Sequence, residues 1–182
     1  MAHQENLITQ SQRNKAIERM IRVNQAGEFG AKRIYAGQLA VMGDRTPAAR
    51  SIAHMAEQEE RHLSAFDKMM AERGVRPTAL YPLWNAAGFA LGAVSAMVGP
   101  EAAMACTVAV ETEIDRHYGE QLAEIGDSDP ELSAMIADFQ ADELEHKATA
   151  LAEGAERAPA YPFMSAIVRF GCRTAIAVSK HI

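Results

Sequence analysis

Aromatic side chains are scarce in this sequence, 6% of 182 residues with a single tryptophan, and only seven prolines and twelve glycines interrupt it. With chain breakers this rare and Ala, Met, Glu, Gln and Leu abundant, the composition favours helix. An excess of positive charge is missing too. The formal net charge is −6, which argues against nucleic acid as a general partner because that role needs a basic surface. Cysteine occurs only at Cys106 and Cys172, each within apolar, helix-like sequence. The two read as buried thiols of a reducing compartment rather than as a disulfide. No Gly-x-Gly-x-x-Gly fingerprint is present, so a built-in Rossmann nucleotide domain is not expected. Residues 1–12 are polar without an apolar core, so no signal peptide is evident and a cytoplasmic protein is the default.

The length suits one domain with a substantial core, here a polar extension at 1–14 followed by a single all-α unit at 15–182. Ile17, Met20, Ile21, Ile34 and Leu39 keep a helical period between Lys15 and Met42. Gly43, Asp44 and Pro47 read as a stop and restart, giving a second helix from Pro47 to Arg73 closed by Gly74. A third helix is expected from Pro100 to Ile125 and a fourth from Pro130 to Glu153, the latter capped by Ser128 or Asp129. The short links at 43–47 and 126–130 imply antiparallel partners within each pair, and the third helix is expected to run nearly parallel to the first.

Charge is absent from Pro77 to Pro100, a length near that of a membrane span. Pro82, Asn85, Gly88, Gly92 and Gly99 make it a poor simple rod. We read 77–100 as an apolar crossover that lies against or dips into a membrane, with a buried crossover helix or a true span as the alternatives. Residues 160–182 carry Arg169, Arg173 and Lys180 and no acid, with Met164, Ile167, Val168, Cys172, Ala175 and Ile176 at helical spacing. Such a basic amphipathic helix suits an anionic membrane surface or docks on the bundle.

The most specific feature is a duplication. Glu28, Arg33, Tyr35, Gln38, Leu39 and Ala40 recur 83 residues later as Glu111, Arg116, Tyr118, Gln121, Leu122 and Ala123. Each leading glutamate is followed by a Glu-x-x-His, Glu59 with His62 after 31 residues and Glu143 with His146 after 32. Residues three apart share a helix face, about 4.5 Å apart along the axis. Each motif can therefore offer a carboxylate and an imidazole to one ion. Glu28, Glu59, His62, Glu111, Glu143 and His146 together form the ligand set of a two-metal carboxylate site in a four-helix bundle. Mixed oxygen and nitrogen donors suit iron or manganese. Four ionised carboxylates balance two divalent cations, which offsets the cost of burying them.

Glu60, Glu113 and Glu145 flank these positions and are most simply surface groups or groups that touch a ligand from outside. Tyr35 and Tyr118 lie seven positions after a glutamate, on the same face about 10 Å away. They could bond a ligand, relay electrons, line a pocket or pack in the core. His117 has Ile34 as its counterpart; as a site residue it would be a proton donor beside the substrate, and a plain polar histidine is the alternative. Gly27 and Gly30 cost about 1 kcal/mol each in a helix interior, in return for close helix approach or room beside the metals. His54 has no repeat partner and is read as structural.

Residues 25–31 (QAGEFGA), 33–38 (RIYAGQ), 76–78 (RPT), 82–85 (PLWN), 105–111 (ACTVAVE) and 142–146 (DELEH) resemble demethoxyubiquinone hydroxylases over residues 15 to 182. The resemblance implies a ferritin-like fold built from two hairpins, an apolar crossover helix and an extra C-terminal helix. It implies two iron ions per chain on the same six ligands, one glutamate of each Glu-x-x-His bridging them, with O2 as co-substrate. The expected reaction is monooxygenation of a polyprenylated 3-demethoxyubiquinol in ubiquinone biosynthesis. Electrons would come from an external reductant, NADH or the quinol itself, or from a partner protein. Peripheral attachment to the cytoplasmic face of the cell membrane is expected, with a homodimer or a lipid-presenting protein as a further partner. A ferritin-like ferroxidase or peroxide scavenger would share the ligands without needing the apolar crossover, and a metal-free helical adaptor would need neither.

Overall fold

The computed structural model describes residues 2–180, with side chains from Gln10 onward. Among these residues the chain forms six α-helices and one short 3-10 turn: α1 Ala2–Met42, α2 Pro47–Arg73, α3 Tyr81–Val98, α4 Pro100–Ile125, α5 Pro130–Ala152, the turn Ala155–Arg157, and α6 Tyr161–Ser179. The first helix thus begins well before Lys15. Local chemistry sets several ends. The Thr46 hydroxyl accepts from the Ala49 N–H, Pro47 occupies the first position of α2, and Gly74 closes it at φ 66°. Asp129, rather than Ser128, caps α5 by accepting from the Leu132 N–H at 3.1 Å.

The crossover corrects one expectation. α3 runs parallel to α1, because Gly88 lies against Gly30 and Arg33, Gly92 against Ile34, and Gly37 against Phe89 and Ala93. A Cβ on Gly92 would enter the Ile34 carbonyl, and one on Gly37 the Phe89 carbonyl. These glycines let two backbones approach closely, the use small residues find in tightly packed helix pairs. Having returned along α1, the chain starts α4 at the end where α1 finishes. α4 is therefore antiparallel to α1, not parallel. Asn24 pairs with Gln121 and Gln38 with the Ala103 carbonyl, so numbers fall along α4 as they rise along α1. α2 and α5 are likewise antiparallel, since Arg61 meets Asp138 and Gln58 meets His146.

Two apolar clusters fill the bundle's ends. One contains Ile52, Met55, Met104, Val108 and Ala150; the other contains Ile21, Phe66, Met69, Ile125, Leu132, Ile136 and Phe139. Burying each large side chain contributes about 1.5–3 kcal/mol. A third cluster, Ile34, Cys106, Ala109, Val110 and Val168 with Leu91 and Cys172, attaches α3 and α6 to the outside of α1 and α4. Both cysteines are free, Cys106 buried and Cys172 half-buried. Trp84 donates from Nε1 to Ser179 Oγ at 3.2 Å, joining the start of α3 to the end of α6. The outer faces of these two helices leave Leu83, Val94, Met97, Val98, Phe163, Ile167 and Phe170 exposed. No helix among the described residues is long and apolar enough to cross a membrane.

Candidate metal centre

Each helix of the four-helix bundle delivers its side chains to a layer between the two apolar clusters. Glu28 comes from α1, Glu59 and His62 from α2, Glu111 from α4, and Glu143 and His146 from α5, all essentially inaccessible to solvent. They form two overlapping groups, Glu28–Glu59–His62–Glu143 and Glu59–Glu111–Glu143–His146, whose potential ligand atoms lie within 4.8 Å of one another. Glu59 and Glu143 belong to both. His62 Nδ1 is 3.4 Å from Glu28 Oε2 and 3.2 Å from Glu143 Oε1. His146 Nδ1 is 3.0 Å from Glu143 Oε2 and 3.4 Å from Glu59 Oε1.

Several inward atoms have no hydrogen-bond partner: Glu28 Oε2, both Glu59 oxygens, His62 Nδ1, Glu111 Oε2 and Glu143 Oε1. Unpaired buried polar atoms cost stability, so their convergence calls for a cation. Titration points the same way. Burial first, and then the Glu143 charge, pushes Glu28, Glu59 and Glu111 well above the ordinary carboxylate range. Burial also opposes ionisation of Glu143, yet bonds from His146 and His62 hold it at about 2. His146 rises to about 9, burial being outweighed by Glu143 and Glu59. Without a metal, protons neutralise the cluster; two divalent ions would take their place.

The surrounding side chains cross between the hairpins. Tyr118 donates its hydroxyl to Glu28 Oε1, and Tyr35 donates to Glu111 Oε1. Each tyrosine thus holds the glutamate of the opposite repeat and leaves that glutamate's Oε2 facing inward. The histidines are held the same way. His62 Nε2 meets Asp142 Oδ2 at 2.9 Å, and His146 Nε2 meets Gln58 Oε1 at 3.1 Å. Outer partners of this kind fix the tautomer and leave Nδ1 free for a metal. The sequence reading singled out neither Gln58 nor Asp142. Their signal was present, since each directly precedes the glutamate of a Glu-x-x-His, 84 residues apart.

His117 belongs to neither group of four. Its Nε2 lies 2.9 Å from Gln121 Nε2, whose carboxamide also pairs with Asn24. Burial, then Lys180, lowers its pKa to about 4, so the neutral ring accepts that bond. It lines a cavity of about 220 Å³ with Arg19, Glu120 and Lys180. Glu60 and Glu145 are exposed, as expected of surface groups, and His54 is exposed as well. Glu113 is not a surface group. It is fully buried and accepts from Arg116 at 2.9 Å, Arg169 at 2.6 Å and Arg173 at 2.9 Å. Burial raises its pKa, but the three guanidinium groups prevail and hold it at about 2. The basic residues of α6 are thereby tied to α4.

Fold and site together define an all-α, ferritin-like protein with a buried carboxylate–imidazole cluster able to hold metal. Residues 15–179 match the family model of the ubiquinone biosynthesis protein COQ7. The chain is 51% identical over 166 residues to a 3-demethoxyubiquinol 3-hydroxylase of Rhodospirillum rubrum, covering 91% of this chain and 78% of that one. It is 49% identical to the human NADPH-dependent 3-demethoxyubiquinone 3-hydroxylase, mitochondrial, covering 92% and 78%. It is 40% identical to the 5-demethoxyubiquinone hydroxylase, mitochondrial, of Saccharomyces cerevisiae, covering 91% and 78%. The chain belongs to the COQ7 family of ubiquinone biosynthesis proteins.

Proposed function

We infer that this chain hydroxylates the ring of a 3-demethoxyubiquinol in ubiquinone biosynthesis, using two iron ions held by Glu28, Glu59, His62, Glu111, Glu143 and His146. The observation that carries the reading is the pair of overlapping four-residue groups sharing Glu59 and Glu143. The family match and the names of the relatives support the reaction. The oxygen- and nitrogen-rich donor set favours iron. Bound iron would supply the O2 chemistry that places one oxygen atom on the ring and releases the other as water.

The protein's own side chains prepare that site. Tyr35 and Tyr118 hold Glu111 and Glu28 with one oxygen turned inward. Asp142 and Gln58 hold the imidazoles with Nδ1 inward. The two apolar clusters keep bulk water from the layer between them. Reducing equivalents come from a nicotinamide nucleotide in this reading, as the NADPH-dependent names of relatives suggest.

A polyprenyl quinol resides in lipid, and the apolar outer face of α3 and α6 suits peripheral binding on the cytoplasmic face of the cell membrane. The quinone content of cells lacking the protein tests the function. A demethoxy precursor should accumulate and be cleared by the restored gene. Unchanged quinones with new peroxide sensitivity would instead indicate a scavenging protein.

A further inference from the structure

The two halves of the cluster offer the same ligand types but differ in what stands behind the histidines. Asp142 of α5 backs His62, and Gln58 of α2 backs His146. They occupy equivalent repeat positions, yet one offers a carboxylate and the other a carboxamide. Resting on the two-metal reading above, we propose that the two metal positions are unequal. The position at His62 is tight, the position at His146 is exchangeable, and Asp142 and Gln58 set the difference as positioning residues.

A ring N–H directed at a carboxylate makes the other ring nitrogen a stronger donor than one directed at a carboxamide. His62 Nε2 reaches Asp142 Oδ2 at 2.9 Å, whereas His146 Nε2 reaches the Gln58 carbonyl at 3.1 Å. Arg61 also bonds Asp142, but it shares its charge with Asp138 at 3.0 Å, so the trio keeps one net negative charge. Arg61 lies 3.4 Å from His62 Nε2 as well. Both are donors, and Asp142 is their common acceptor.

Packing and access add a second difference. The His62 ring stacks on Phe139 with centroids 4.0 Å apart, and Arg61 lies over that same phenylalanine. The His62 ring is thus held in place by stacking as well as by Asp142. His146 and Gln58 instead line a cavity of about 270 Å³ between α2 and α5, together with exposed Arg50, His54 and Glu145. A metal leaving or arriving at His146 has a short route through this cavity once the Gln58 carboxamide swings aside. The inequality is therefore written twice, in the acceptor's charge and in the cavity that adjoins only one of the rings.

Titration of the metal-free full chain with Mn(II) under anaerobic conditions, followed by calorimetry and electron paramagnetic resonance, tests this. Two steps of one equivalent each are expected, separated by about tenfold or more in affinity. Asp142→Asn keeps shape and acceptor but removes the charge; it should weaken the tight step about 10- to 100-fold. Asp142→Glu should restore it in part. Gln58→Glu should tighten the weak step and leave the tight one alone. The melting temperature of each metal-free variant separates these effects from general loss of folding. Two equal steps in the unaltered chain, or Asp142→Asn acting only on the weak step, would overturn the inequality while leaving a two-metal centre. Binding of one equivalent or none would overturn both readings.

Discussion

In the bundle interior six ionisable side chains are withdrawn from water between two apolar clusters, while on the α3–α6 layer Met97, Phe163 and Phe170 stay 66%, 70% and 73% exposed. Each region breaks the usual burial rule in the opposite sense. The interior groups these carboxylates and imidazoles around a common centre, with Glu28, Glu111, His62 and His146 held from behind. The outer layer leaves apolar surface exposed, which in the proposed reading a lipid surface covers. In the proposed reading, the metal cluster and the lipid-facing surface are thus built on separate helices. They meet along α1 and α4, which face the cluster on one side and carry α3 and α6 on the other.

The sharpest way to break this comparison is to remove an interior carboxylate. Glu111→Ala should cut turnover by about a thousandfold or more and lower bound metal, while vesicle binding stays intact. Gly92→Leu attacks the junction instead. Its side chain meets the Ile34 backbone, so α3 must lift from α1, at a cost of about 1–3 kcal/mol or more. A fall in melting temperature, with weakened vesicle binding, is the expected result.

Removing metal rather than a side chain gives a pH signature. The ordinary carboxyl value is 4.5, and burial places Glu28, Glu59 and Glu111 well above it. His146 rises from 6.5 to about 9. Groups with raised values stabilise the fold at low pH and lose that contribution as pH rises through their folded values. The metal-free protein should therefore melt at progressively lower temperature from pH 6.5 to 9, and added Mn(II) should abolish the decline.

Glu113 titrates in the opposite direction. Its value falls from 4.5 to about 2, so its contribution is complete above 4.5 and is lost as pH drops from 4.5 through 2. Glu113→Gln should cost about 1–2 kcal/mol, less than a fully buried pair because its arginines reach solvent. It should also free α6 for faster hydrogen exchange. The smallest effect on the fold is expected from Phe163→Ser with Phe170→Ser. Stability should stay within about 0.5 kcal/mol, yet binding to anionic vesicles should fall severalfold; unchanged binding would mean that another surface meets the membrane.

The sequence made the interior far more legible than the outer layer. The 83-residue echo of Glu28 and Tyr35 in Glu111 and Tyr118 led to six residues that the fold does bring together. Spacing along one helix could not show that Tyr35 serves Glu111 and Tyr118 serves Glu28, because that pairing depends on α1 and α4 being antiparallel. The direction of α4 was missed because Gly88 and Gly92 read as weaknesses of a helix. They are instead the seam that binds α3 along α1. Glu113 read as a surface group or one touching a ligand, and its true setting was hidden because two of its three arginine partners come from α6, distant in sequence.

The central claim is that these six side chains hold two iron ions. Load the full chain with ferrous iron without oxygen, remove unbound metal, and determine iron per chain with Mössbauer spectra alongside. The account predicts about two irons per chain in two distinguishable environments, both lost when Glu59 and Glu143 are replaced by alanine. Iron at one equivalent or below, or two irons retained by the doubly substituted chain, would contradict it.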